Sequence, residues 1–121
     1  MKTIFLSLAI TLSVVFPAMS ESWQHIATSE DGKTVLSLDA ESLTKVDGLY
    51  RYKTMILDQS ENRGMIGYSE MSCKTRSERL ISYDSYDNSG QIIESRQAAD
   101  STFKPIMVDS LTSVLWQTIC K

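Results

Sequence analysis

Residues 103–121 read Phe103-Lys-Pro-Ile-Met-Val-Asp-Ser-Leu-Thr-Ser-Val-Leu-Trp-Gln-Thr-Ile-Cys-Lys121, and they contain the one clear helical pattern after the N-terminal segment. Apolar residues recur there at helical spacing. They form one stripe, which consists of Leu111, Leu115 and Ile119. Asp109 or Ser110 is expected to cap the start of this helix. Cys120 falls at the rim of the apolar stripe, where it could tether the helix to another element.

The N-terminal residues 1–20 have the pattern of a secretory signal peptide. Lys2 supplies the positive charge, Ile4 to Phe16 form the apolar core, and Ala18-Met19-Ser20 places small residues where a signal peptidase cleaves, before Glu21. An uncleaved membrane anchor is the alternative, but the apolar run is shorter than the ~20 residues that span a bilayer. No cysteine lies near the cleavage site, which disfavours a lipid anchor.

Residues 21–121 are therefore expected to form a single exported domain, without a membrane span after cleavage. The expected location is the periplasm or the medium, and less so the cell surface. The whole chain has a formal net charge of −3, and cleavage removes Lys2 but no acidic residue. This acidic balance argues against nucleic-acid binding, which needs a basic footprint.

The two cysteines of the chain are Cys73 and Cys120, and both follow the predicted signal. An even number of cysteines in a small exported domain favours a disulfide, so the sequence predicts a Cys73–Cys120 bridge. Two buried free thiols are the alternative. The bridge would clamp the end of the C-terminal helix to a strand far upstream in the chain.

The region between signal and helix has the period-two alternation of β-strands. Leu49 to Leu57 is the clearest case, and Asp31-Gly32 and Asp47-Gly48 mark tight turns. Short turns between successive strands indicate antiparallel pairing. The predicted strands cover residues 22–29, 34–39, 49–57, 65–76, 79–86 and 91–97. The sequence thus predicts an α+β fold, in which a six-stranded antiparallel meander is covered on one face by one helix.

A basic stripe is the first candidate binding feature. If neighbouring strands align, Arg51, Lys53, Lys74 and Arg76 share one sheet face with Tyr68, and Arg79 would extend the stripe. Such a face would suit an acidic or protein partner, whereas the plainer interpretation is an ordinary solvated sheet face.

Apolar residues fall on the same predicted face, namely Leu49, Met55 and Leu57. If exposed, they would favour a homodimer or partner binding, while a shift of one residue in register would bury them.

No catalytic, cofactor or metal constellation is predicted. His25 is the only histidine, so neither a catalytic triad nor a zinc site is indicated. Asp84 and Asp87 resemble the start of a calcium loop, but Ser89 and Ser95 occupy the positions where such a loop needs Gly and Glu. A hydrolase that uses Asp84, Asp87 or His25 lacks a paired base and nucleophile, so the chain is predicted not to be an enzyme.

Several short motifs, in order, resemble the surface-adhesin protein E family. They are Trp23, Asp39, Cys73, Tyr86-Asp87-x-x-Gly90-x-x-Ile93, Phe103-x-Pro105-Ile106, Ser110 and Cys120. The resemblance implies a six-stranded antiparallel sheet with a disulfide-tied C-terminal helix, and a role in binding proteins of a host matrix. The chain departs from the family pattern at Val108-Asp109, where Pro-Gly is usual, at Phe103, where Trp is usual, and in lacking a lipid-attachment cysteine.

The sequence therefore predicts an exported, non-enzymatic binding module that contacts host or envelope proteins. The alternative is a structural or accessory periplasmic protein, with a homodimer formed through the sheet and no host target.

Overall fold

The computed structural model describes residues 22–121, and the predicted signal peptide lies outside this range. The described chain consists of β-strands followed by a C-terminal helix. In chain order they are β1 Trp23–Thr28, β2 Thr34–Asp39, β3 Thr44–Val46, β4 Leu49–Asp58, β5 Arg63–Ser72, β6 Ser77–Tyr86, β7 Ile92–Gln97, β8 Lys104–Pro105 and α1 Leu111–Cys120.

The strands form one antiparallel sheet in the order β1-β2-β4-β5-β6-β7. The two shortest strands lie off this path, since β3 pairs with β4 and β8 pairs with β6. The six long strands are the predicted meander, so the α+β fold with one C-terminal helix is confirmed. The sheet leaves β1 and β7 as its two outer strands, and it is open rather than closed into a barrel.

The connection between β3 and β4 shows why this tight turn could be predicted from the sequence. Asp47 and Gly48 both have positive φ, of 53° and 81°. A two-residue hairpin of this kind needs positive φ at both positions, which Asp-Gly supplies at low steric cost. The region before it forms a 3₁₀ turn at Ala40–Ser42 and then the short strand β3.

The predicted strand from Met65 to Arg76 is too long, because β5 ends at Ser72. The next four residues form a turn in which Ser72 Oγ accepts a hydrogen bond from the Thr75 backbone N–H at 3.2 Å. Arg76 takes a positive φ of 51° and reverses the chain into β6. Neither glycine nor proline marks this turn, so the alternation of the strand continues through it in the sequence.

The helix packs on one face of the sheet, which is called the helix face below. The buried side chains between the two layers are Leu36, Leu38, Tyr52, Met71, Ile106 and Leu115. Two members of the predicted stripe, Leu111 and Ile119, pack at the border of this core, while Leu115 is at its centre and only 1% exposed. Tyr52 donates its hydroxyl hydrogen to Glu78 beside this core. Burial raises the pKa of both Tyr52 and Glu78.

The predicted disulfide joins Cys73 and Cys120, with 5.6 Å between their Cα atoms. Cys73 lies in the β5–β6 turn and not inside a strand, so the bridge ties the last turn of α1 to the end of the β5–β6 hairpin. Next to it the Arg76 guanidinium lies over the Trp116 ring, 4.6 Å from the ring centroid. Two contacts of different kinds therefore hold the C-terminal end of the helix.

Ser110 is the N-cap of α1, one of the two residues predicted for this role. Its Oγ accepts a hydrogen bond from the Ser113 backbone N–H at 3.1 Å. Because an unpaired N–H at a helix start is costly, we expect Ser110→Ala to lower the free energy of unfolding by about 1 kcal/mol. Urea denaturation measures this, with exposed Gln117→Ala as the control. Equal stabilities of the two variants would contradict the capping role.

Candidate binding surface

The face of the sheet opposite α1, called the open face below, carries a cluster of charged side chains. The cluster spans three neighbouring strands, because Arg51 of β4 lies opposite Glu70 of β5, and Glu70 lies opposite Arg79 of β6. In the next paired row, Lys53 of β4 lies opposite Tyr68 of β5. Directly paired residues share a face, so these five side chains lie together.

A small apolar cluster forms the floor of the open face. Met55 and Ile66 are cross-strand neighbours, and together with Tyr86 they are at most 5% exposed. The partly buried residues packed against them are Trp23, Leu57 and Tyr68. Met55 thus lies on the face that the alternation predicted, but it is buried there and does not contribute to an exposed apolar patch. Large aromatic side chains cover it, and this cover depends on which strands are neighbours.

Glu70 is the buried centre of the charged cluster. Its side chain is 2% exposed, and its two carboxylate oxygens bind different arginines: Oε2 accepts from Arg51 Nε, and Oε1 accepts from Arg79 Nε at 2.8 Å and lies 2.6 Å from Arg79 Nη2. Burial pushes the pKa of Glu70 upwards, but the hydrogen bonds and charges of Arg51 and Arg79 outweigh it, so the pKa lies below its usual value. The carboxylate thus holds both guanidinium groups in place.

The two arginines differ from Glu70 in their exposure. The Arg51 side chain is 55% exposed and that of Arg79 is 33% exposed. The Arg79 guanidinium also lies over the Phe103 ring, 5.2 Å from its centroid. Glu70 therefore holds two arginines that reach the solvent in fixed positions. Because these side chains are already ordered, binding a partner costs less conformational entropy.

A second ion pair extends the cluster towards β2. Lys53 Nζ lies 3.6 Å from Asp39 Oδ2, and Asp39 is buried at the end of β2. Tyr68 donates its hydroxyl hydrogen to Asp84 Oδ2 at 3.3 Å. A shallow depression of about 210 Å³ lies beside Lys53 and Tyr68. Its lining residues are Ser42, Arg51, Tyr52, Lys53, Tyr68, Ser69 and Ile81.

The structure brings together three of the five residues predicted for a partner-binding face, namely Arg51, Lys53 and Tyr68. Lys74 and Arg76 lie elsewhere, in the β5–β6 turn. Lys74 is exposed there, while Arg76 packs over Trp116 of the helix. The predicted basic stripe therefore ends at the paired row that contains Arg51 and does not extend to Arg76.

Glu70 is the member of the cluster that sequence reasoning did not place at the site, whereas Arg79 was expected as an extension of the basic stripe. The alternation of β5 puts Glu70 on the same face as Tyr68, but alternation alone does not reveal that it is buried. A negative residue between positive residues on adjacent predicted strands is the signal that would have found it. Placing Arg79 beside Glu70 also required the register between β5 and β6. A bulge interrupts this register, because Tyr68 pairs with Ser82 while the next residue, Ser69, pairs with Leu80.

The residues considered for hydrolysis are not assembled into one site. His25 lies on β1 and Asp84 on β6, with β2, β4 and β5 between them. Asp87 lies in the β6–β7 turn, where its Oδ1 accepts hydrogen bonds from the backbone and hydroxyl of Ser89. Within residues 22–121, no group of three or more His, Cys, Asp or Glu side chains is placed to hold a metal ion. In the same range, none of the helical structure has the length and apolar character needed to cross a bilayer.

A family model described as "Surface-adhesin protein E" matches residues 23–121, which is nearly the whole described part of the chain. The chain belongs to the surface-adhesin protein E family. Neither the curated proteins nor the solved structures gave a match. Membership in the adhesin E family indicates an exported or surface protein that binds other proteins.

Proposed function

We propose that this adhesin E family member is an exported binding module that engages a protein partner through the open face, with Arg51, Lys53 and Arg79 as the charged contacts and Tyr68 as an aromatic one. The observation that carries the proposal is the pair of arginines held by buried Glu70 on the face that α1 leaves uncovered. Arginine and tyrosine are the side chains most enriched at protein interfaces.

The chemistry of the surface favours an acidic segment of the partner. Arg51 is the most exposed member of the cluster, and a guanidinium group can hold a carboxylate by two parallel hydrogen bonds. Because Glu70 already fixes the Nε side of Arg51, a partner carboxylate would meet an ordered donor. The partner would be a matrix protein of a host, or a protein of the bacterial envelope.

Replacement of Arg51 tests the proposal. We expect Arg51→Met to weaken binding to the partner about tenfold, because one exposed charge–charge contact is lost while the aliphatic cover stays. Surface plasmon resonance against immobilised matrix proteins and an envelope extract measures this. Arg63→Met is the matched control, since Arg63 is 61% exposed but lies at the start of β5, away from the cluster.

Two results would contradict the proposal. One is the absence of any bound protein above background in both preparations. The other is equal loss of binding by Arg51→Met and Arg63→Met, because a general charge effect does not depend on the open face.

The second candidate function is a structural or accessory protein of the periplasm that acts as a homodimer and has no host target. The observation that favours it is the outer strand β7, which pairs only with β6 among the described strands. Cell fractionation separates the candidates, because a protein found only in the periplasm cannot bind a host matrix.

A further inference from the structure

A depression lies between β6, β8 and the start of α1, and it is called the β8 depression below. Its volume is about 350 Å³. Small-molecule sites occupy roughly 300–1,000 Å³ and combine apolar walls with a few polar groups. The apolar walls here are Leu80, Pro105, Ile106 and Met107, and Glu78 is among the polar residues.

Glu78 brings a half-buried carboxyl group to the edge of this depression. Its Oε2 accepts the hydroxyl hydrogen of Tyr52. Its Oε1 has no hydrogen-bond partner among residues 22–121. In the same range, the fully buried polar side-chain atoms that lack a hydrogen bond are Arg76 Nε and Trp116 Nε1. Glu78 Oε1 is not one of them, so it is in contact with solvent and within reach of a ligand.

Glu78 also lacks a cationic partner in the described part of the chain. Lys104 of β8 is its directly paired neighbour, so the two side chains share a face. Lys104 Nζ nevertheless lies 3.3 Å from Asp100 Oδ2. Arg79 borders the depression as well, but its guanidinium group binds Glu70 on the open face. A half-buried carboxylate without a cation is costly, which favours a cation from outside.

We propose that the β8 depression binds an alkylammonium group, whose nitrogen pairs with Glu78 Oε1 and whose alkyl chain packs on Leu80, Pro105 and Met107. An ammonium group donates up to three hydrogen bonds and accepts none, so it fits an unpaired carboxylate oxygen. Met107 is 69% exposed, so an alkyl chain would remove apolar surface from water. This site is separate from the open face and does not depend on the function proposed for that face.

The proposal carries a definite pH dependence. Burial raises the pKa of Glu78, and the hydrogen bond from Tyr52 opposes this only in part. Around Glu78, Tyr52 is neutral because its own pKa is raised, and hydrogen bonds from Thr102 lower the pKa of Asp100 to about 2. Lys104 is the remaining charged neighbour. The ligand pairs with the ionised form of Glu78, so its affinity increases as the pH rises through the Glu78 pKa and then levels off.

A nuclear magnetic resonance titration with hexylamine tests the site. We expect saturable shifts confined to amide signals around the depression, with a dissociation constant of about 1 mM. Glu78→Gln keeps an acceptor for Tyr52 but removes the charge, so it weakens binding about tenfold or more. Glu61→Gln is the matched control with unchanged affinity, because Glu61 is an exposed carboxylate at the β4–β5 turn. Hexan-1-ol has the same chain without the charge and binds about tenfold more weakly.

A second set of variants tests the site without altering Glu78. Asp100 Oδ1 accepts hydrogen bonds from the backbone and hydroxyl of Thr102, which asparagine can also accept, while Oδ2 holds Lys104. Asp100→Asn therefore releases Lys104 to compete for Glu78, and it lowers the affinity for hexylamine about threefold. Asp100→Asn/Lys104→Met removes the competitor and restores the affinity. Both positions are exposed, so the melting temperature stays close to wild type.

Alkylammonium groups occur in free amines and in lysine side chains, and a second ligand separates these sources. Binding of N-acetyl-lysine methylamide as well as hexylamine, with both lost in Glu78→Gln, extends the site to lysine side chains of proteins. Binding of hexylamine alone restricts it to free amines.

The proposal is overturned if neither amine gives saturable shifts, if hexan-1-ol binds as tightly as hexylamine, or if folded Glu78→Gln keeps the wild-type affinity. Should Glu78→Gln fail to fold, the variants of Asp100 and Lys104 decide. A wild-type affinity in Asp100→Asn then overturns the proposal, and a loss that Lys104→Met reverses supports it.

Discussion

Cys120→Ser is expected to lower the free energy of unfolding by roughly 4 kcal/mol. The bridge spans 47 residues, and a cross-link of that length removes a large share of the conformational freedom of the unfolded chain. In a domain of this size such a loss lowers the melting temperature by about 15 to 30 °C. The helix should loosen first, because its last turn is what the bridge holds, while the sheet keeps its hydrogen-bonded ladder.

Thermal and urea denaturation of the oxidised wild type and of Cys120→Ser would measure this effect. The double variant Cys73→Ser/Cys120→Ser is the control for the thiol that the single variant leaves behind, and it should melt at the same temperature as Cys120→Ser. Far-ultraviolet circular dichroism should show the strand signal retained and the helical signal reduced. An unchanged melting temperature would mean that the clamp contributes nothing to stability.

The double replacement Arg51→Met/Arg79→Met is expected to destabilise the fold by about 3 kcal/mol, because it leaves the buried carboxylate of Glu70 without a charged partner. Each single replacement should cost about 1 kcal/mol or less, since the other arginine still pairs with Glu70 and both are partly exposed. The effects are thus far from additive. Because methionine has an aliphatic side chain of similar length, it keeps Glu70 covered. The carboxylate therefore stays buried and is not simply hydrated in place of its ion pairs.

The pH dependence of stability gives this prediction a second measurement. In the wild type the folded-state pKa of Glu70 lies below its unfolded value near 4.5, so its contribution is full above that pH and is lost as the pH falls through the folded pKa. In the double variant only burial acts on the Glu70 pKa and raises it. The contribution of Glu70 to the stability of the variant should therefore be most favourable at low pH and be lost as the pH rises through that raised pKa.

Urea denaturation at several pH values would follow both effects. Arg63→Met is the control, because its carboxylate partner Glu61 is exposed, and its cost should be within about 0.5 kcal/mol at every pH. A double variant whose stability equals the sum of two small single effects, with the wild-type pH dependence, would show that Glu70 does not depend on the arginines.

The sequence predicted most of the fold because the governing signals are local. Leu49 to Leu57 alternates in polarity, Asp47-Gly48 fits a two-residue hairpin, and Leu111, Leu115 and Ile119 repeat at helical spacing. Short turns then leave only antiparallel pairing of consecutive strands. The cysteine pair needed one further prediction, that the domain is exported, to become a disulfide prediction.

The candidate site was less predictable because it depends on register and on turns without sequence markers. Arg76 adopts positive φ without being glycine or asparagine, so nothing in the sequence showed that β5 had ended. The bulge at Tyr68 changes which residues of β6 lie beside β5. Burial of Glu70 and Met55 follows only once the neighbours on both sides are known.

The two tryptophans of the chain lie on opposite sides of the sheet, which gives the protein two separate optical reporters. Trp23 packs with the apolar floor of the open face, and Trp116 packs with the core under the helix, where Arg76 and Lys121 lie near its ring. With Trp23→Phe, the remaining fluorescence follows the undocking of α1. With Trp116→Phe, it follows the open face, so partner binding and helix release can be watched independently in the same fold.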